Sequence, residues 1–154
     1  MDLILWRHAE AEPHGAEADD LARRLTAKGE RQAERMAAWL NRRLPQTTRI
    51  VVSPARRAQQ TAKALDRGFK TVASIAPGAS VEDVLAAARW PDAAEPVLVV
   101  GHQPTLGAVA ARLAGDLDAE WPMKKAAVWW LRLRERGDEE GVLVQAVQSP
   151  DFLD

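Results

Sequence analysis

Three short apolar runs in this chain each stop on polar residues suited to chemistry. Residues 3–6, Leu-Ile-Leu-Trp, lead into Arg7-His8; residues 49–52, Arg-Ile-Val-Val, lead into Ser53-Pro54; residues 97–100, Val-Leu-Val-Val, lead into Gly101-His102. Unbroken apolar runs of this length suit strands covered on both faces, the arrangement of a parallel sheet with helices on either side. The stretches between them carry helical periodicity. Ala33, Met36, Ala37 and Leu40 fall on one face behind Thr26, a capping residue, and Pro45 marks the end of that helix. Ala58, Thr61, Ala62 and Leu65 share a second face, which Ser53-Pro54 is expected to start as N-cap and first helical residue. Ser80 and Asp83 form a capping box for a helix reaching Arg89, and Leu106, Val109, Ala110 and Leu113 line a fourth.

Residues 71–75 are expected as a further strand, residues 9–21 as a loop broken by Pro13 and Gly15, and residues 126–133 and 142–147 as a hairpin about a polar turn at 137–141. The expected fold is therefore α/β, a three-layer sandwich with a mostly parallel sheet, helices on both faces and an antiparallel C-terminal addition. No repeat or linker divides the sequence, so residues 1–154 are expected to form one domain with one site.

Charge narrows the chemistry. Lys and Arg number 21 against 22 Asp and Glu, a balance that gives no support to a nucleic-acid or anionic-membrane role. The basic residues concentrate before residue 71, where an anionic ligand would belong. With no cysteine, thiol nucleophiles, thiolate metal sites and disulfides are excluded. The apolar run at the amino terminus is too short for a signal peptide or membrane span, so a cytoplasmic location is expected.

Ligand sites of open α/β sheets lie beyond the carboxyl ends of the strands. There the three strand ends would bring His8, His102 and arginines from residues 7, 56 and 57 together. Arginine offers a planar fork to phosphate oxygens, and a neutral imidazole can attack phosphorus. Each residue also has an ordinary structural reading: a strand-end histidine is often only a hydrogen-bonding group, and Arg56-Arg57 can be a solvated helix face. Neighbours on a helix point about 100° apart, so at most one of that pair should enter a pocket. A competing metal reading comes from the alternation of His8, Glu10, Glu12 and His14, but Pro13 and Gly15 favour a loop and no helical His-x-x-x-His pair supports it. His14 reads most simply as an exposed loop residue. The tryptophans sit where packing explains them, with no basic aromatic platform for stacking bases.

The ordered set Leu5-Trp6-Arg7-His8-Ala9-Glu10, Arg23-Arg24-Leu25-Thr26-Ala27-Lys28-Gly29, Ser53-Pro54-Ala55-Arg56-Arg57-Ala58-Gln59-Gln60-Thr61 and Val100-Gly101-His102 resembles the signatures of the histidine phosphatase superfamily, the phosphoglycerate mutase-like fold. Length and residues 121–126 look most like its SixA-type phosphohistidine phosphatase branch. The resemblance implies that His8 is the nucleophile, that Arg7 and Arg57 hold phosphate, that His102 completes the pocket and that Arg23 adds a phosphate or substrate contact. It selects Arg57 over Arg56, and it implies no metal or other cofactor. Two departures stand out: Ala9 replaces the glycine of an Arg-His-Gly triplet, and residues 74–80 lack the carboxylic acid that many members place there. Glu82 and Asp83 follow but read as first-turn helix residues, leaving the proton donor unassigned.

The resemblance implies a hydrolase that forms phospho-His8 and dephosphorylates phosphohistidine on a protein, such as a histidine phosphotransfer domain in signal transduction. A small-molecule phosphomonoesterase of the same superfamily and a phosphate-binding module without turnover are the alternatives. Phosphate or sulfate should fit the pocket in each case.

Overall fold

The computed structural model describes residues 1–15 and 19–153, so residues 16–18 of the expected loop lie outside the described residues. Six strands, β1 (Asp2–Arg7), β2 (Arg49–Val52), β3 (Lys70–Thr71), β4 (Val97–Gly101), β5 (Val128–Arg136) and β6 (Glu139–Gln148), form one sheet in the order β3-β2-β4-β1-β5-β6. The β1–β4, β2–β4 and β2–β3 pairs are parallel, while β1–β5 and β5–β6 are antiparallel. Among the described residues four α-helices, α1 (Ala27–Asn41), α2 (Arg56–Lys63), α3 (Val81–Ala88) and α4 (Thr105–Leu113), complete the α/β sandwich expected from the sequence. Among the described residues no helix is long and apolar enough to cross a membrane.

The unbroken apolar strands follow from having a core on each face. Ile4, Trp6, Ile50, Val52, Leu98 and Val100 pack with Met36, Leu40, Ala58 and Ala62 of α1 and α2. Their alternates Leu3, Leu5, Val51, Val97 and Val99 pack with Val84, Ala88, Leu106 and Val109 of α3 and α4. The register sets Trp6 and Val52 beside Val100, and Arg7 beside Gly101, so β1, β2 and β4 end level with one another. The chain leaves all three at one edge of the sheet.

Thr26 caps α1 by accepting from the Gly29 amide, and Ser80 with Asp83 makes the complete capping box at α3. Gly29 has a packing reason: a Cβ there would lie 2.0 Å from the Glu10 carbonyl oxygen, an immovable backbone group. Gly29→Ala should therefore lower the urea midpoint of unfolding by the equivalent of about 3 kcal/mol, since α1 must back away from the strand-end segment. An unchanged midpoint would contradict the close packing.

Three local expectations are corrected. Helix α2 begins at Arg56 with Ala55 as N-cap, not at Ser53-Pro54, because the Ser53 hydroxyl is used elsewhere: it accepts from the Ala55 amide and bonds His102. The strand expected at 71–75 shrinks to Lys70–Thr71, since Val72 already turns the chain into a 3-10 turn at Ala73–Ile75 that buries Ile75. The hairpin strands run further than expected, Arg136 pairing with Glu139, so Gly137-Asp138 alone forms the turn, with Gly137 at φ 62°. A two-residue turn with glycine at positive φ matches the strand twist, and the charged residues beside it are strand residues facing solvent.

Candidate active site

The level strand ends deliver Arg7 and His8 from β1, Ser53 from β2 and His102 from β4, and the first turn of α2 adds Arg57. His8, Arg7, Arg57, Arg23 and His102 all line one open cavity of about 520 Å³, together with Glu10, Thr26, Pro77, Gln103 and Lys125. The His8 and His102 rings lie 5.1 Å apart between centroids. Arg57 is buried and Arg56 exposed, the division expected of helix neighbours.

His8 is held by backbone on both sides. Its amide donates to the Gly101 carbonyl and its carbonyl accepts from the Ala126 amide. The ring Nδ1 lies 2.7 Å from the Ala9 carbonyl oxygen. A carbonyl only accepts, so Nδ1 carries the proton and Nε2 keeps its lone pair. Ala9 sits at an ordinary negative φ, its amide donating to Thr61 Oγ1, so replacing glycine there needs no left-handed backbone. Thr61 in turn donates to the Arg57 carbonyl, linking the histidine turn to α2.

Burial, at 9% exposure, is the main cause that lowers the His8 pKa to about 4; Arg57 and Arg7 push the same way, against the Ala9 hydrogen bond. Burial first, then His8 and Arg57, lower His102 to about 3. Both imidazoles are neutral at physiological pH. The linkage has a definite sign: unfolded histidine protonates near 6.5, whereas the folded groups resist until about 4 and about 3. Stability should therefore be full above pH 7 and fall as pH is lowered toward 4. Urea midpoints at pH 7 and pH 5 check this, and a midpoint equal at both, or higher at pH 5, would contradict neutral burial of the two rings.

The cation geometry suits an anion. Arg7 Nη1 donates to the Met123 carbonyl at 2.7 Å, while Arg7 Nε is buried without a partner. Arg57 gives Nη1 to the Asp20 carbonyl at 2.8 Å and Nη2 to Asp20 Oδ2 at 3.2 Å, and its Nε is likewise buried and unpaired. His102 bonds Ser53 Oγ through Nε2 at 2.7 Å, leaving a buried, unpaired Nδ1. Unpaired buried polar groups are costly unless something pairs with them, and here the two Nε donors and the His102 ring nitrogen belong to residues lining the same cavity. Arg23 lines the cavity too, but its Nε holds Asp20 Oδ1 at 2.9 Å and its Nη1 the Glu12 carbonyl at 2.9 Å.

The metal alternation does not form a ligand set. Glu10 accepts from the Thr26 hydroxyl at 2.7 Å and lies 3.8 Å from Lys125, interactions that keep its carboxyl below the usual value, while His14 is exposed and bonded to the Gly15 carbonyl. Among the described residues no three His, Asp or Glu side chains converge as a metal site. Glu82 pairs with Arg112, away from the cavity lining. Sequence reasoning missed Asp20, the Ser53–His102 contact and the Glu10–Lys125 pair. The Asp20-x-x-Arg23 spacing was the one available signal, an i, i+3 ion pair on a turn.

The family model described as Histidine phosphatase superfamily (branch 1) matches residues 3–79. The phosphohistidine phosphatase SixA homolog of Haemophilus influenzae is 30% identical over 148 residues, covering 84% of this chain and 88% of that one. A protein of Picosynechococcus sp. is 35% identical over 140 residues, covering 86% and 85%. Among solved structures, the protein histidine phosphatase SixA complexed with tungstate superposes with a TM-score of 0.77 at 26% identity, covering 98% of each chain.

Proposed function

The chain belongs to the histidine phosphatase superfamily, and from that premise we propose that it dephosphorylates phosphohistidine carried on a protein, through a phosphorylated His8. The observation that carries the reading is the neutral His8 imidazole, its proton tied to the Ala9 carbonyl, sharing a cavity with Arg7 and Arg57, whose Nε donors are buried and unpaired.

In the first step the His8 Nε2 lone pair forms a bond to phosphorus while the bond from phosphorus to the substrate nitrogen breaks. Arg7 and Arg57 hold the phosphoryl oxygens and oppose the charge that builds on them. The departing imidazole nitrogen takes one proton from water, since His102 is itself neutral. Water then attacks phosphorus, loses a proton, and the bond to His8 breaks to release phosphate. The guanidinium groups supply the positive charge throughout.

The carboxylates favour a phosphoramidate over a sugar phosphate. Glu10 lines the cavity but is held ionised by Thr26 and Lys125. Partial burial works to raise the Asp20 carboxyl, yet the Arg23 and Arg57 guanidinium groups hold it below its ordinary value. Neither has a proton to give at neutral pH. An alkoxide needs that proton to leave; an imidazole departs far more easily. The SixA likeness supports the same substrate class, and a phosphotransfer domain bearing phosphohistidine is the form expected in signal transduction.

Phosphate release should be followed on a phosphorylated histidine phosphotransfer domain, phosphoglycerate and sugar phosphates at equal concentration. The phosphohistidine protein should be preferred by on the order of 10²-fold or more in kcat/KM, the size of a typical general-acid contribution that esters would lack. Equal or better turnover of the esters would move the small-molecule reading to first place.

A further inference from the structure

Resting on the reading of the cavity as a phosphoryl site, we infer that Asp20 is the positioning residue for Arg57, gripping one edge of its guanidinium so that the other faces the phosphoryl oxygens. Arg57 is the deepest cation of the site, its side chain 4% exposed against 36% for Asp20. Asp20 takes Nη1 through its carbonyl and Nη2 through its carboxylate, which is the end-on edge of the fork. What remains is the side-on edge, Nε and the second hydrogen of Nη2, and Nε is buried without a partner. Arg7 presents the same edge by the same device, with Nη1 fixed on the Met123 carbonyl and Nε unpaired. Two cations thus offer matching edges, each clamped at its far end by an acceptor.

Asp20 is itself fixed. It opens the 3-10 turn Asp20–Ala22, which Asp19 caps, and its Oδ1 is held by Arg23, whose Nη1 is anchored on Glu12. Arg23 therefore acts in this structure through Asp20 as well as by lining the cavity. A carboxylate beside a site for a dianion would by charge alone weaken ligand binding. Positioning predicts the opposite consequence of its removal. A guanidinium freed from its clamp would sample orientations in which Nε no longer meets the ligand, and the order lost must be restored on binding. The direction of the effect thus separates the two roles.

The test is a double-mutant cycle on the full chain with wild type, Asp20→Ala, Arg57→Ala and the double variant, plus Asp20→Asn, which keeps one acceptor and the shape. Inorganic phosphate affinity is measured by calorimetry, kcat and KM with p-nitrophenyl phosphate, and folding by circular dichroism. Asp20→Ala should weaken phosphate binding and kcat/KM by about tenfold or more, the scale of a charge-assisted hydrogen bond, with Asp20→Asn between it and wild type. In the Arg57→Ala background the same change should cost less than about twofold, because Asp20 then has nothing to position. Tighter phosphate binding by Asp20→Ala, or a full repeat of its loss without Arg57, overturns the proposal. If Asp20→Ala does not fold, the cycle is read with Asp20→Asn. Wild-type turnover reports separately on the phosphatase reading, since the phosphate titration carries the cycle without it.

Discussion

Replacing His8 with alanine should reduce phosphate release from a phosphohistidine protein by on the order of 10⁴-fold or more, the loss typical when a covalent nucleophile is deleted. The ring Nε2 is the lone pair left free once Nδ1 donates to Ala9, and burial with two nearby arginines keeps it deprotonated. The fold should survive, because the backbone bonds of His8 to Gly101 and Ala126 do not depend on its side chain. Circular dichroism and urea unfolding beside the rate measurement keep lost chemistry apart from lost structure. Near-normal activity in a folded His8→Ala protein would remove the covalent mechanism.

The second large effect is a contrast between neighbours. Arg57→Ala should cost on the order of 10² to 10³-fold in kcat/KM, the range found when a donor to developing oxyanion charge is removed. Arg56→Ala, the adjacent and exposed residue, should change it by less than about twofold, as solvent-exposed charges contribute little. Two arginines adjacent in sequence then differ because a 100° step around α2 puts one in the cavity and the other in water. Equal losses, or a larger one at Arg56, would mean that the helix presents a different face to the substrate.

The fold was largely legible because strands buried on both faces leave unbroken apolar runs, and three such runs separated by helical patterns admit few arrangements besides a parallel sheet. The sequence was less informative where one side chain serves a distant partner. Ser53 before Pro54 has every local mark of a helix cap, but its hydroxyl is directed to His102 by the pairing of β2 with β4, which no local pattern reveals. The strand expected at 71–75 failed for a related reason: its β-branched composition suited a strand, but burying Ile75 required the chain to turn. At the candidate site, the residues now found lining the cavity, Arg7, His8, Arg57 and His102, were visible in strand-end motifs, while the groups that hold them were not. Asp20, the carbonyls of Ala9 and Met123 and the hydroxyl of Thr61 act across loops, through backbone atoms or from ordinary residue types. Gly29 lies between these cases, recognised in a motif and explained only by its contact with the Glu10 backbone.

Trapping the intermediate tests the central claim most directly. The protein is mixed with a phosphohistidine donor labelled on phosphorus, quenched in alkali within milliseconds to seconds, digested and mapped by mass spectrometry. A phosphoramidate on histidine is stable to alkali and lost in acid, unlike a phosphoserine or an acyl phosphate. The label should be found on the peptide carrying His8, should form and decay at rates that account for turnover, and should be missing from His8→Ala. Label on another residue, or steady turnover with no label at any quench time, would contradict the account.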